Sequence, residues 1–224
     1  MPPNLFEEVN IRMFSIDGKL YRLCTWVSNF AILNLLFLIS CIPIITIFPA
    51  SAALFAVVRQ LVKNNQINIF RKYWMYFAEN FKQSFLIGIF STCIGLFLFV
   101  DFRIIDHMQP GIKSIFFSCL VAITVYFILF LFCAFPLMVN SYYSTKQLIL
   151  NAFKLSMYKP HLTLINLIAT SAIVLASLKS TYILVFFSCS FTAYLTYWIA
   201  ERKFSALELS NPAKKENLEI NVRE

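Results

Sequence analysis

The residues best suited to acid–base chemistry lie in one short segment. Asp101, Asp106 and His107 are close together, and His161 is the only other histidine. A carboxylate beside an imidazole can exchange a proton with a substrate, so these three residues are the candidates for an enzyme acting on lipid or cell-wall glycan. Neither histidine lies in a HExxH or comparable spacing. We predict no catalytic residue, no metal site and no cofactor, and we keep the enzyme only as an alternative.

The cysteines do not suggest a site either. Six are present, and no two are closer than fourteen residues. This spacing excludes a CxxC pair and a zinc-ligand pattern, and all six lie in apolar segments, where free thiols behave as small apolar residues. No Walker A motif is present, so any use of ATP would come from a partner.

The composition indicates a protein that lies in lipid. Hydrophobic residues make up 59% of the 224 residues and charged residues 13%, whereas about a quarter of an ordinary soluble domain is charged. We expect one transmembrane domain, residues 1–200, followed by a polar cytoplasmic tail, 201–224. The net charge of +8 does not indicate nucleic-acid binding, because no long polar segment is present to carry such a site. In a membrane protein, excess Lys and Arg mark the cytoplasmic side.

Long uncharged runs predict an all-α, polytopic bundle of about six membrane segments. These are expected at about 23–42, 49–63, 85–101, 114–139, 161–178 and 180–200. Residues 23–58 contain no charge, although one crossing needs only about 20 residues. Pro43 and Pro49 each disfavour helix locally. We therefore predict a proline-turned hairpin, with a second helix that is short or re-entrant, rather than one strongly tilted helix.

The positive charges test this topology. With six crossings and both termini inside, 16 Lys and Arg residues lie on the inner side and 3 on the outer side. With five crossings and the N-terminus outside, the division is 13 to 6. The positive-inside rule favours six crossings with cytoplasmic termini, and five crossings stay open as the alternative.

Residues 67–83 form a different kind of segment, in which aromatic residues recur at spacings of three and four among cations. This pattern predicts an amphipathic interfacial helix. Its side chains are candidates for contact with lipid or with a partner protein. The candidates are Phe70, Arg71, Trp74, Phe77, Phe81 and Lys82. Residues 1–22 and 146–160 also have amphipathic character.

Small and polar residues inside the predicted spans are candidates for helix packing. Small residues let helix backbones approach closely, and asparagine can form hydrogen bonds between helices. The candidates are Asn34, Gly88, Thr92, Gly95 and Asn166. The alternative interpretation is a polar pathway through the bundle.

Several spacings between Gly18 and Gln83 resemble the YesL-like family of bacterial membrane proteins. Pro43–Phe55 reads PIITIFPASAALF and is similar to the family pattern P-x-x-T-x-G-P-A-x-x-A-L-[YF]. Its fixed positions form the turn motif Pro43, Thr46, Pro49 and Ala50, and Phe48 stands where the family often has Gly. The family's later positions match Arg59, the F-R-x-[FYW] start at Phe70 and the ENFKQ ending at Glu79–Gln83.

The resemblance implies a function only indirectly. Members of this family tend to be encoded beside ABC importers for oligosaccharides, which implies an accessory or regulatory subunit that contacts permease subunits in the bacterial cell membrane. The alternative is a stand-alone transporter or channel for a neutral solute, supported by the Asn, Ser and Thr residues in the spans. The sequence indicates neither the sugar nor whether the chain self-associates.

Overall fold

A computed structural model of the chain describes residues 19–63, 67–105, 109–140, 143–179 and 187–210. Within these ranges the chain forms seven α-helices, one short 3-10 helix and no strand, which confirms the predicted all-α class. The α-helices are α1 (Lys19–Ser40), α2 (Ile47–Lys63), α3 (Ile69–Ile105), α4 (Pro110–Asn140), α5 (Thr145–Met157), α6 (Pro160–Lys179) and α7 (Cys189–Ser210). The 3-10 helix is Ile44–Thr46.

The chain is a multi-pass membrane protein. Five described segments are long and apolar enough to cross a bilayer: Leu23–Ser40, Ile44–Lys63, Ile69–Ile105, Gly111–Asn140 and Pro160–Ser177. Large apolar side chains on several of these helices are well exposed, as expected of a surface that contacts lipid. The predicted sixth span, 180–200, is only partly within the described residues, because 180–186 lie outside them.

The predicted hairpin is present, with its second helix longer than expected. The helix α1 ends at Ser40, a turn follows, and the 3-10 helix leads directly into α2. Pro49 lies in the first turn of α2, where a backbone N–H has no acceptor within the helix, so proline is tolerated there. Together the 3-10 helix and α2 supply 20 residues, which is long enough to cross the bilayer.

The hydroxyl of Thr46 binds backbone oxygens in the turn that joins α1 to α2. Its Oγ1 lies 2.5 Å from the carbonyl oxygen of Ser40 and 2.6 Å from that of Pro43. The first of these carbonyls ends α1 and has no amide partner inside that helix. The Thr46 hydroxyl therefore lies within hydrogen-bond distance of the Ser40 carbonyl, which has no amide donor in α1, and of the Pro43 carbonyl, which also accepts from the Thr46 amide.

The helix α3 differs from the prediction. The residue pattern predicts an interfacial helix at 67–83 and a separate span at 85–101, whereas the structure joins both in one helix of 37 residues. No glycine or proline interrupts the junction, so the charged residues mark where the helix leaves the apolar region and not where it ends. The connection between the predicted spans 85–101 and 114–139 is correspondingly shorter, since α3 continues to Ile105 and α4 begins at Pro110.

The last helix also differs from the prediction. Residues from 201 onward were assigned to a polar tail, but α7 continues to Ser210. Residues 211–224 and the amphipathic segment before residue 19 lie outside the described residues.

The helix α2 forms the centre of the bundle. Half of its membrane segment is buried, compared with 17–28% of the other four segments. The main core joins α2 to α1, α3 and α7, and it includes Leu33, Val57, Tyr73 and Tyr197. Six of the nine buried residues of α2 are alanine or valine, which let the surrounding helices approach it closely.

Candidate functional site

Arg59 projects from the last two turns of α2 toward the end of α4. Its Nη1 donates to the carbonyl oxygen of Val139 at 2.9 Å, although the residues are 80 positions apart. Val139 lies in the last turn of α4, where carbonyls have no amide partner within the helix. The Nε of Arg59 is buried and has no partner within the described residues. Arg59 therefore caps α4.

Gln83 holds the same connection from α3. Its Nε2 donates to the carbonyl oxygen of Tyr143 at 2.8 Å. The adjacent Ser144 precedes α5, and its backbone N–H donates to Oε1 of Gln147 at 3.4 Å. Side chains from α2 and α3 thus fix the connection between α4 and α5.

These residues surround a polar cavity of about 320 Å³. Arg59 lines one part of the cavity, while Tyr76, Glu79, Asn80 and Gln83 line the part formed by α3. Asn80 donates its Nδ2 to the carbonyl oxygen of Tyr76 at 3.0 Å. The NH2 groups of Asn80 and Gln83 each donate one hydrogen bond to a backbone carbonyl, and within the described residues their amide oxygens have no donor, so these oxygens can accept from a ligand.

The charges of the cavity are balanced. Glu79 is exposed, and within the described residues it has no hydrogen-bond or ion-pair partner. Arg59 supplies the opposite charge, and it lies beside the hydroxyl of Tyr197, which itself is 3.5 Å from Oδ1 of Asn140. The cavity therefore presents one cationic group and one anionic group, together with neutral oxygens.

The predicted contact residues on the first half of α3 lie on different faces. Phe70 is 61% exposed and Trp74 is 41% exposed, and Arg71 and Lys82 are also exposed. Phe77 and Phe81 are half-buried, and their ring centroids are 5.6 Å apart. The exposed side of this half-helix therefore consists of aromatic and basic side chains; we call Phe70, Arg71, Trp74 and Met75 the α3 surface patch.

Two of the predicted packing residues form hydrogen bonds between helices. Oδ1 of Asn34 accepts from the backbone amides of Cys189 at 2.9 Å and Ser190 at 3.1 Å, which begin α7. Nδ2 of Asn166 donates to Oγ1 of Thr196 at 3.2 Å. Asn34 and Asn166 thus connect α1 and α6 to α7.

The predicted small residues on α3 have different surroundings. Gly88 is buried, and a β-carbon at this position would lie 2.6 Å from the ring of Phe48. Thr92 is exposed, and no atom lies within 4 Å of a β-carbon placed at Gly95. Phe48 itself is part of α2 and has ordinary helical backbone geometry, since it is not among the positive-φ residues. Phe48 therefore replaces the family's usual glycine without backbone strain, because Gly88 leaves space for its ring.

Lys203 was not identified from the sequence. It is 2% exposed, and its Nζ donates to Oγ1 of Thr163 and to the carbonyl oxygen of Leu155. Burial lowers the pKa of its ammonium, with a smaller opposite effect from Cys133. Three helices besides α7 therefore surround this cation.

The residues proposed for acid–base chemistry are not brought together in the described part of the chain. Asp101 is half-buried near the end of α3, whereas Asp106 and His107 lie outside the described residues. Within the described ranges, no group of three His, Cys, Asp or Glu side chains is placed to hold a metal ion. The described cysteines are all free thiols.

The chain is similar to proteins known by sequence. A family model described as "Protein of unknown function, DUF624" matches residues 30–102. The Bacillus subtilis (strain 168) protein YesL, described as uncharacterized, is 25% identical over 210 residues, covering 92% of this chain and 99% of YesL. The uncharacterized protein YteU of the same organism is 28% identical over 181 residues, covering 79% of this chain and 81% of YteU. No solved structure matches significantly.

These similarities confirm the resemblance to the YesL-like family. The matched segment contains the turn motif, Arg59 and residues 79–83. In the structure, Arg59 and the 79–83 segment meet at the polar cavity, although neither is adjacent to the other in the sequence. This convergence makes the cavity and the neighbouring α3 surface patch the candidate functional site.

Proposed function

We propose that the protein is a non-enzymatic accessory subunit that binds permease subunits of a bacterial oligosaccharide ABC importer. The observation that carries this proposal is the length of α3. Its 37 residues extend about 56 Å at 1.5 Å per residue, whereas the apolar core of a bilayer is about 30 Å thick. Roughly the first half of α3 therefore extends beyond that core.

The chemistry of this extension supports contact with a protein. Phe70, Trp74 and Met75 remain 61%, 41% and 43% exposed while the opposite face packs on α2. Exposed aromatic and Met side chains beside a cation are enriched at protein interfaces. The resemblance to the YesL-like family supplies the class of partner, and the positive-inside rule places this half of α3 in the cytoplasm.

A second cavity, which is largely apolar, is relevant to the alternative function, a stand-alone transporter or channel. About 390 Å³ in volume, it is lined mainly by apolar side chains, including Phe37, Phe55 and Phe135, and by the hydroxyl-bearing residues Ser51, Thr170, Ser188, Thr192 and Thr196. Ser51 and Thr196 already form hydrogen bonds within the bundle, so a sugar would leave several of its hydroxyls unpaired in this cavity, at a cost in free energy. A stand-alone transporter using this cavity would carry an apolar solute, and solute flux in reconstituted liposomes tests that alternative.

Co-purification with a matched pair of variants tests the proposed function. The protein is isolated with a mild detergent from its own membrane, and associated permease subunits are quantified by mass spectrometry. The variant F70A/W74A changes the α3 surface patch, while F97A/F99A changes two exposed side chains of the same helix within its membrane half. We expect the first variant to lower the recovery of permease at least about tenfold, as loss of central aromatic contacts does, and the second to leave it unchanged.

The proposal also predicts a direct contact. A photo-crosslinking residue at position 74 should give an adduct with a permease subunit, and the same residue at position 97 should not. Absence of permease from the purified protein, together with unchanged oligosaccharide uptake after deletion of the gene, would overturn the proposed function.

A further inference from the structure

The polar cavity lies at the depth of the lipid headgroups. Arg59 is close to the end of the span Ile44–Lys63, and Tyr143 and Ser144 follow the end of the span Gly111–Asn140. On α3, about 20 residues counted back from Ile105 are enough to cross the apolar core. Residues 76–83 then lie just beyond the core, in the layer that contains phosphate and amine groups. A ligand in this cavity would sit beside the headgroups of the surrounding bilayer.

The hydrogen-bonding groups of the cavity select the ligand. The carboxylate of Glu79 and the amide oxygens of Asn80 and Gln83 are the acceptors on α3, while one N–H of each amide donates to a backbone carbonyl. A primary ammonium has three N–H donors that such acceptors can bind. A quaternary ammonium has no N–H, so it cannot form these bonds.

The opposite part of the cavity is suited to an anion. Arg59 lines this part of the cavity. Its Nη1 donates to the carbonyl oxygen of Val139 and its Nε is buried, so the Nη atoms are the donors that can reach a ligand. Guanidinium groups bind phosphate and carboxylate through several N–H donors. Ala56 and Met138 complete the lining with apolar surface. The volume of about 320 Å³ is at the small end of ligand pockets, which favours a compact polar group.

We propose that this cavity binds a zwitterion with a primary ammonium and a phosphate, supplied by the headgroup of phosphatidylethanolamine. The ammonium contacts the acceptors of α3, and the phosphate contacts Arg59. Each end of the headgroup thereby meets a group of opposite charge. The inference does not depend on a permease partner, because all of its groups belong to this chain.

Lipid competition in native mass spectrometry tests the inference. The detergent-purified protein is mixed with equal amounts of phosphatidylethanolamine, phosphatidylcholine and phosphatidylglycerol with identical acyl chains, and the retained lipids are counted. We expect phosphatidylethanolamine to be retained at least about fivefold over the other two. E79Q should lower this preference to about one, because the carboxylate that accepts a charge-assisted hydrogen bond from the ammonium is lost.

A matched control distinguishes the site from general lipid contact. D101N makes the same acid-to-amide change near the other end of α3 and should keep the wild-type preference. Unchanged thermal unfolding of E79Q shows that the variant is folded, as expected for an exposed side chain. Equal retention of the three lipids, or a preference that persists in folded E79Q, would overturn the inference.

A soluble headgroup distinguishes the source of the zwitterion. Glycerophosphoethanolamine that displaces the lipid at millimolar concentration supports a site for the zwitterion alone, which a free metabolite could also fill. Retention of phosphatidylethanolamine in its presence supports a site that also requires the acyl chains. These outcomes concern lipid binding only, so they are separate from the co-purification result for the permease.

Discussion

The ring of Phe48 on α2 lies directly against Gly88 on α3. A β-carbon at position 88 would be 2.6 Å from Cγ and 3.0 Å from Cβ of Phe48, atoms near the backbone that cannot move freely. We expect G88A to lower the free energy of unfolding by about 1–3 kcal/mol through overpacking. Chemical denaturation in detergent measures this change.

Two further variants test whether the ring of Phe48 causes the loss of stability expected for G88A. Gly95 is on the same helix, and no atom lies within 4 Å of the β-carbon that alanine would add. G95A should therefore leave stability unchanged or raise it by up to about 1 kcal/mol through helix propensity. In an F48A background the cost of G88A should be smaller, because the ring atoms are removed and only Cβ of residue 48, at 3.0 Å, remains. An undiminished cost there would show that the ring of Phe48 is not responsible.

Asn34 provides the second prediction. Its side-chain oxygen accepts from the amides of Cys189 and Ser190 at the start of α7, where amides have no partner within the helix. The variant N34L leaves both donors unpaired and should cost about 2 kcal/mol or more. Hydrogen exchange at residues 189 and 190 should accelerate before exchange elsewhere in the bundle does.

Asn29 is the control for this experiment. It lies on the same helix, and within the described residues it forms no hydrogen bond. N29L should therefore change stability by only about 0.5 kcal/mol or less. Equal costs for N29L and N34L would contradict the assigned role of Asn34.

The buried Lys203 predicts a pH dependence of stability. Burial lowers the pKa of its ammonium below the ordinary value of 10.5, so between these two pKa values the unfolded chain binds more protons than the folded chain. The free energy of unfolding should then rise with pH in that interval, because the folded state no longer holds a buried charge. Below the lowered pKa the destabilising effect is fully present.

Thermal unfolding between pH 7 and 10 measures this effect. The groups that face Lys203 are Cys133 on α4, the Leu155 carbonyl on α5 and Thr163 on α6. K203M removes the titrating group and should reduce the increase in stability with pH, while K154M, which changes an exposed lysine on α5, should retain it. A pH dependence that K203M leaves unaltered would contradict this assignment.

The hairpin predicts that its turn and the α3 surface patch lie on opposite sides of the membrane. Ile45 in the turn is 67% exposed and Met75 is 43% exposed. In a variant without the native cysteines, I45C should react with an impermeant thiol reagent in intact cells, and M75C only after the membrane is permeabilised. Reaction of both under the same condition would indicate that α2 re-enters the membrane without crossing.

Local signals predicted the elements of the fold well. The uncharged runs identified the spans, and Pro43 and Pro49 located the hairpin, because a proline acts on the backbone beside it. The extent of α3 was not predicted, since charged side chains at residues 79–82 indicate exposure to water but do not end a helix. Amphipathic periodicity therefore placed the helix correctly and its boundary incorrectly.

Contacts between distant residues could not be predicted in the same way. Asn34 was recognised as a packing residue, but nothing in its own segment indicates that its partners are about 155 positions away. Arg59 and residues 79–83 were noted only through the family resemblance, and their meeting depends on how α2, α3 and α4 pack. Lys203 was assigned to a polar tail because its burial depends on acceptors supplied by α5 and α6.

The close approach at Gly88 has a mechanical consequence. Gly88 lies near the midpoint of α3, whose ends are Ile69 and Ile105, so the contact with Phe48 sets the distance between α2 and α3 about halfway along this helix. Ile69 and Tyr73 on one side of this point and Leu98 and Ile105 on the other side pack into separate clusters. A side chain larger than glycine at position 88 would therefore disturb the packing of both halves of α3 at once.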